Sequence, residues 1–154
     1  MRLTRTKSLA RRRFPCEHVG LFVTDIGKVS RFYIERLGFK IVRDYVADTK
    51  IIRRIFSISS PCRLQFLVLG DFGLELLYFT REKLAPRKKN ASGINHWTLL
   101  VEDKFRFCRN LKKRGVKVIK AAKPSGTTFF IKDPERNLIE IKSYDDPGLT
   151  KKRY

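Results

Sequence analysis

The sequence predicts an α+β protein built from two tandem β-α-β-β-β halves, and three observations within its 154 residues lead there. The first is a near-repeat. Cys16-Glu17-His18-Val19-Gly20-Leu21-Phe22-Val23-Thr24-Asp25 returns as Gly93-Ile94-Asn95-His96-Trp97-Thr98-Leu99-Leu100-Val101-Glu102-Asp103, and the chain's 2 histidines stand seven residues before the Asp in each copy. The second is punctuation: Gly38 follows His18 by 20 residues and Gly115 follows His96 by 19, each where a helix would stop on a left-handed residue. The third is an acid embedded in an apolar strand late in each half, Leu74-Glu75-Leu76-Leu77-Tyr78 and Leu138-Ile139-Glu140-Ile141. One histidine is usually a satisfied core or surface residue. Two at equivalent places in a repeat point to a site.

The elements follow in order. Cys16 to Val23 alternates as a strand, with His18, Gly20 and Phe22 on one face and Val19, Leu21 and Val23 on the other. Asp25 offers a helix N-cap, and Val29, Phe32, Tyr33 and Leu37 form an apolar stripe at helical spacing. Residues 39–45 read as a strand, 51–58 as a further strand-like stretch, and 63–69 and 74–79 as two strands joined by the turn Gly70-Asp71-Phe72-Gly73. Residues 81–92, with Pro86 and the basic run Arg87-Lys88-Lys89, form the linker between the halves. The second half repeats the plan: a strand over 95–101, the cap Asp103, and a helix over 104–114 with Phe107, Cys108 and Leu111 inward. Strands at 116–120, 127–132 and 138–143 complete it, the last two joined by Asp133-Pro134-Glu135-Arg136-Asn137.

Composition sets the outer limits. A hydrophobic content of 42% with 12% aromatic residues belongs to a folded chain. No apolar run approaches the roughly 20 residues that span a bilayer, so membrane insertion is not expected. Cys16, Cys62 and Cys108 are odd in number and widely spaced, which suits a reducing compartment such as the cytoplasm better than a disulfide framework or a zinc finger. The formal charge of +20 attracts anionic small molecules, nucleic acid or anionic membranes without choosing among them. Residues 1–13 form an acid-free basic arm, a composition that organelle-targeting segments share. No nucleic-acid recognition module is visible and the aromatics fall at core spacing, so specific nucleic-acid binding is not expected.

An acid inside an apolar strand is costly unless it is paired, protonated or bound to metal. Two such acids with two histidines supply two nitrogen and two oxygen ligands, a set suited to a divalent first-row metal. His18 and Glu75 are 57 residues apart and His96 and Glu140 are 44 apart, so strands meeting in space would have to build the site.

These motifs together resemble the vicinal oxygen chelate superfamily: His18-Val-Gly-Leu-Phe-Val-Thr-Asp25, Phe32-Tyr33 with Leu37-Gly38-Phe39, Leu74-Glu75-Leu76-Leu77, Gly93-Ile-Asn-His96, and Asp133-Pro134 through Asn137-Leu-Ile-Glu140. Glyoxalase I, methylmalonyl-CoA epimerase, fosfomycin-resistance proteins and extradiol dioxygenases belong to that superfamily. The resemblance covers residues 14–144, as modules 14–80 and 93–144 between the basic arm and a basic tail at 145–154. It implies paired βαβββ modules whose curved mixed sheets surround a metal held by His18, Glu75, His96 and Glu140. That ligand set is most similar to glyoxalase I-like lyases. It implies a metal-dependent lyase or isomerase using Ni, Zn, Co, Mn or Fe, with Glu140 as the proton-transferring base and Glu75 as ligand or second base. A homodimer and a small anionic substrate are the expected partners. A dioxygenase or fosfomycin-type enzyme using His18, His96 and Glu140 is the alternative, and a non-enzymatic basic binding protein is another. Cys16, two residues before His18, shares its face and is read as packing, and Trp97, opposite His96, as core.

Overall fold

A computed structural model describes residues 16–85, 88 and 92–147. The basic arm, most of the basic run at 86–91 and residues 148–154 of the tail lie outside the described residues.

The first half opens with strand β1 (His18–Val23), whose alternation buries Val23 and half-buries Val19 and Leu21 while His18, Gly20 and Phe22 face outward. Asp25 then accepts a hydrogen bond from the Lys28 amide and caps helix α1 (Ile26–Phe32), satisfying one of the amides a helix start leaves unpaired. The helix widens into a π-helical turn over Tyr33–Leu37. Gly38, at φ 85°, ends it, with its own amide on Ile34 and the Phe39 amide reaching back to Tyr33. A side chain there would meet the left-handed penalty that glycine escapes.

Strand β2 (Lys40–Ala47) is followed by a helix where the sequence suggested a strand. Residues Thr49–Phe56 form α2. The β-branched run Ile51-Ile52 favours a strand locally, but Asp48 accepts from the Lys50 and Ile51 amides and Ser57 closes the far end at φ 60°. Ile52 is buried against Cys62, Leu64, Phe66, Leu77 and Phe79, and this one-sided anchor together with the cap outweighs propensity. The first half is therefore β-α-β-α-β-β. Strands β3 (Cys62–Leu69) and β4 (Phe72–Phe79) form a hairpin through Gly70 and Asp71, so Phe72 and Gly73 belong to the strand rather than to the turn.

The second half holds β5 (His96–Val101), α3 (Lys104–Lys113), β6 (Val118–Lys123), β7 (Gly126–Lys132) and β8 (Leu138–Ser143). Asp103 caps α3 through the Phe105 and Arg106 amides. Where the first half inserts α2 between its second and third strands, this half has only Pro124 and Ser125.

The sheets have matching orders, β1-β4-β3-β2 and β5-β8-β7-β6. In each, the first strand runs parallel to the last and the other pairs are antiparallel. One core joins the halves: Val29, Tyr33, Leu74 and Leu76 pack with Cys108, Leu111, Ile131 and Ile141. Cys16, Cys62 and Cys108 are all free thiols. Among the described residues, no helix is long and apolar enough to cross a membrane.

Two polar links cross between the halves. The Thr24 amide and hydroxyl both donate to Glu135. The fully buried Tyr33 donates its hydroxyl to Asp133 Oδ2 at 2.9 Å, and Asn137 donates to the same carboxylate through its amide nitrogens. Burial raises the Asp133 carboxyl, and hydrogen bonds from Asn137 and Tyr33 only partly offset it. A buried carboxylate stripped of one donor is destabilising, so Tyr33→Phe should cost about 1.5–3 kcal/mol at neutral pH, read from denaturant midpoints. Because the carboxyl titrates above its ordinary value when folded, the cost applies while Asp133 is ionised. The gap between parent and variant should narrow as pH falls through that raised titration.

Candidate functional site

The four residues singled out in the sequence form two pairs, one in each half. Parallel pairing sets His18 opposite Gly73 and Gly20 opposite Glu75. It sets His96 opposite Leu138 and Thr98 opposite Glu140, the same offset. Each histidine therefore lies diagonally beside the Glu of the neighbouring strand, on the face turned from the shared core. His18 Nε2 stands 3.9 Å from Glu75 Oε2 and His96 Nε2 stands 3.7 Å from Glu140 Oε2.

The other ring nitrogen has a partner in both cases, and sequence reasoning had passed over it. His18 Nδ1 donates to Glu17 Oε2 at 3.0 Å, and His96 Nδ1 donates to Asn95 Oδ1 at 3.1 Å. With Nδ1 engaged in this way, Nε2 is the ring nitrogen left near a carboxylate oxygen in each pair. A first-row ion bonded to both at about 2.0–2.2 Å would hold nitrogen and oxygen roughly 3–3.5 Å apart, a small closure from what is seen. Fixing the ring through its second nitrogen is how proteins orient metal-binding imidazoles. The signal was present in the sequence: the residue before each histidine carries a side-chain oxygen.

Each pair also rests on a phenylalanine, Phe66 edge-on to His18 and Phe130 edge-on to His96, with ring centroids 5.3 Å apart in both. Phe66 pairs with Glu75 and Phe130 with Glu140 in the strand register, so the motif of His, Phe and Glu is duplicated as a unit.

The surroundings are not duplicated. Glu140 accepts from Thr98 and Thr128 hydroxyls, one on each oxygen, and pairs with Lys142 at 3.2 Å. Burial raises the Glu140 carboxyl most strongly as a single influence, but Thr128, Lys142 and Thr98 together hold it below the usual value. Glu75 lies over Gly20 beside Leu77, and among the described residues no hydroxyl or ammonium donates to it. Glu140 is 10% exposed and Glu75 23%, while the histidines are 36% and 38% exposed.

A cleft of about 400 Å³ follows the seam between the sheets, with Gly20, Phe22 and Phe56 on one wall and Asn95, His96 and Leu138 on the other. Phe56 comes from α2, the helix that was not foreseen, and stacks edge-on with Phe22. Cys16 is exposed, its thiol turned to the His18 carbonyl, so the expected packing role is not seen. Trp97 packs against Tyr33, Phe39 and Phe72 in the core. Among the described residues, no three His, Cys, Asp or Glu side chains gather closely enough to hold a metal. The four residues stand as two separate His–Glu pairs, one in each half.

Residues 16–141 match the model of the Glyoxalase/Bleomycin resistance protein/Dioxygenase superfamily. The chain belongs to that superfamily. Solved structures share its architecture. A glyoxalase family protein from Enterococcus faecalis is 22% identical over 82% of this chain and 95% of its own, with a TM-score of 0.66. The trypanothione-dependent glyoxalase I of Leishmania major is 24% identical over 85% of this chain and 87% of its own, with a TM-score of 0.63. TnmS3, an antibiotic binding protein from Streptomyces sp. CB03234, is 20% identical over 86% of this chain and 98% of its own, with a TM-score of 0.60. No curated protein matches the chain. The same fold serves a glyoxalase I in one neighbour and an antibiotic binding protein in another.

Gly73 is another residue whose role was missed in the sequence. A Cβ there would come within 2.7 Å of the Phe66 ring, 2.9 Å of the Glu17 carbonyl and 2.9 Å of the His18 Cβ. Its lack of a side chain lets β1 approach β4 closely enough to set His18 beside Glu75. Gly73→Ala should destabilise the fold by about 1–3 kcal/mol, as overpacking does. It should also shift the His18 ring resonances in an imidazole NMR spectrum while leaving those of His96 in place.

Proposed function

We propose that the protein is a glyoxalase-type lyase or isomerase whose metal centre forms between two copies of the chain. His18 and Glu75 of one copy would meet His96 and Glu140 of the other. The observation that carries this is the duplicated pair, one half-centre in each half: an Nε2 within 3.9 Å of a carboxylate oxygen, with Nδ1 already engaged. Two pairs per chain, each two ligands short of a full set, suit a symmetric dimer with two centres. Ile41, Val42, Val46, Ile51 and Ile55 expose apolar surface on β2 and α2 of the first half, which a second copy would cover.

A bound divalent ion would supply a Lewis acid that polarises two neighbouring oxygens of a substrate and acidifies the adjoining C–H bond. The chain's own residues do the rest. Glu75 and Glu140 would take the proton from one carbon and return it to its neighbour. Thr98 and Thr128 hold Glu140 in one orientation, so its oxygens need no reorganisation. Glu75, lying over Gly20 without hydroxyl donors among the described residues, keeps more freedom to move a proton. Phe66 and Phe130 wall the histidines, and the cleft at the seam, with Phe22 and Phe56 beside His96, offers apolar surface to the rest of a small substrate. A formal charge of +20 favours an anionic one.

The test separates a centre shared between chains from one within a chain. His18→Ala and His96→Ala proteins should each lose tight binding of a divalent ion such as Ni²⁺ in calorimetric titration. Mixed, unfolded together and refolded, they should recover binding, because one of the two centres in a mixed dimer draws both modules from intact halves. Unchanged affinity in both single variants would remove the four residues as ligands, and no recovery on mixing would remove the shared centre. Glu17→Ala and Asn95→Ala should each weaken metal binding by about 10–100-fold, the usual cost of losing the partner that orients a ligand histidine.

A further inference from the structure

The two half-centres share their His, Phe and Glu but differ at one position of the strand register. Two residues after each Glu, on the same face, the first half has Leu77 and the second has Lys142. The fold therefore does not require a lysine there. Lys142 Nζ lies 3.2 Å from Glu140 Oε2, the same oxygen that faces His96 Nε2 at 3.7 Å. Hydrogen-bond satisfaction does not explain it, because Thr98 and Thr128 already supply one donor to each carboxylate oxygen.

We propose that Lys142 is a tethered counter-cation of the second half-centre, held on the Glu140 oxygen that faces His96, and that it sets the affinity with which the centre takes up metal. The inference rests on the metal reading of His18, Glu75, His96 and Glu140 given above. An ammonium and a divalent ion cannot share one carboxylate oxygen without strong repulsion, since unit charges about 4 Å apart interact by several kcal/mol near a protein surface. Entry of the ion therefore requires the ammonium to leave Oε2. The side chain has the means: Lys142 is 27% exposed on a four-carbon stem, and its register partner Leu100 is exposed beside it. In the absence of an ion it neutralises a carboxylate that is 10% exposed, which keeps the half-centre from holding an unpaired buried charge. Displaced, it remains tethered beside the centre as a cation for the anionic part of a substrate. The first half, with Leu77 in that place, offers its pair without such competition.

The experiment is calorimetric titration of Ni²⁺ into the full chain, the metal alone serving as probe. Lys142→Met should bind about tenfold more tightly or better, and Lys142→Arg, which keeps the charge, should stay near the parent. In a Glu140→Gln background the Lys142→Met gain should vanish, since the competition acts through that carboxylate. A purely structural role would leave no such coupling. Circular dichroism of each variant confirms equal folding before titration. Unchanged or weaker binding by folded Lys142→Met overturns the proposal, as does a gain that persists without Glu140. If parent and variants alike bind no metal, the metal reading falls and takes this inference with it. Binding by the parent with no response to Lys142→Met sinks the inference alone.

Discussion

Parallel pairing of the first strand with the last in each half is the constraint on which the rest depends. A parallel neighbour cannot be reached by a tight turn, so the chain must travel through a helix and two further strands before it returns. That excursion separates each histidine from its glutamate by tens of residues and supplies the helix whose apolar face builds the core. It also fixes geometry. His18 opposite Gly73 and His96 opposite Leu138 give the same diagonal relation to Glu75 and Glu140. A slip of one residue would turn Glu75 or Glu140 into the core, where Leu74, Leu76, Ile139 and Ile141 now sit. The register that fills the core is thus the register that sets each histidine beside its glutamate.

The core in turn fixes the halves to each other. Tyr33 serves three ends: it fills the bottom of the π-helical turn, packs with Trp97 from the second half, and donates to Asp133 at the β7–β8 turn. Thr24, just after β1, reaches Glu135 in the same turn. The Asp133–Asn137 turn, and with it the start of β8, is therefore held against the end of β1. The polar links named here between the halves are buried or doubled rather than single exposed ion pairs, which contribute little.

Much of this was legible because local and global signals agreed. Asp25, Asp103, Gly38 and Gly115 announced helix limits, and the alternation in β1 and β5 separated core face from site face. Two features misled. The β-branched Ile51-Ile52 read as a strand, and the Asp48 cap that overrides it looks like any loop aspartate until Ile52 finds its pocket. Gly73 read as a turn residue because it follows Gly70-Asp71 closely, whereas its lack of a Cβ matters to β1, more than fifty residues earlier. Glu17, Asn95 and Lys142 were visible as letters but carry meaning only relative to a ring nitrogen or an oxygen of a residue beside them in space. Whether the two His–Glu pairs converge on one ion, as proposed, is not a property of one chain's sequence at all, since the proposed centre would need surfaces that only an assembled pair brings together.

Charge gives the site its remaining logic. A chain of formal charge +20 repels a divalent cation at long range, though at physiological ionic strength exposed charges are screened beyond about 8 Å. Within that distance the balance is local: in the proposed centre Glu75 and Glu140 would supply two negative charges, which would match a divalent ion and leave a neutral centre inside a positive surround. Such a centre would have no net charge of its own to attract an anion, and the surround would do so instead. Lys142 is the point where these two demands would conflict, opposing the ion and favouring the anion from the same strand. If the ammonium swings outward as metal enters, the conflict resolves in sequence: first the carboxylate is exchanged from lysine to metal, then the released lysine faces incoming substrate. A site arranged this way takes up metal less tightly than its four ligands would allow, and binds anion better once the metal is in place.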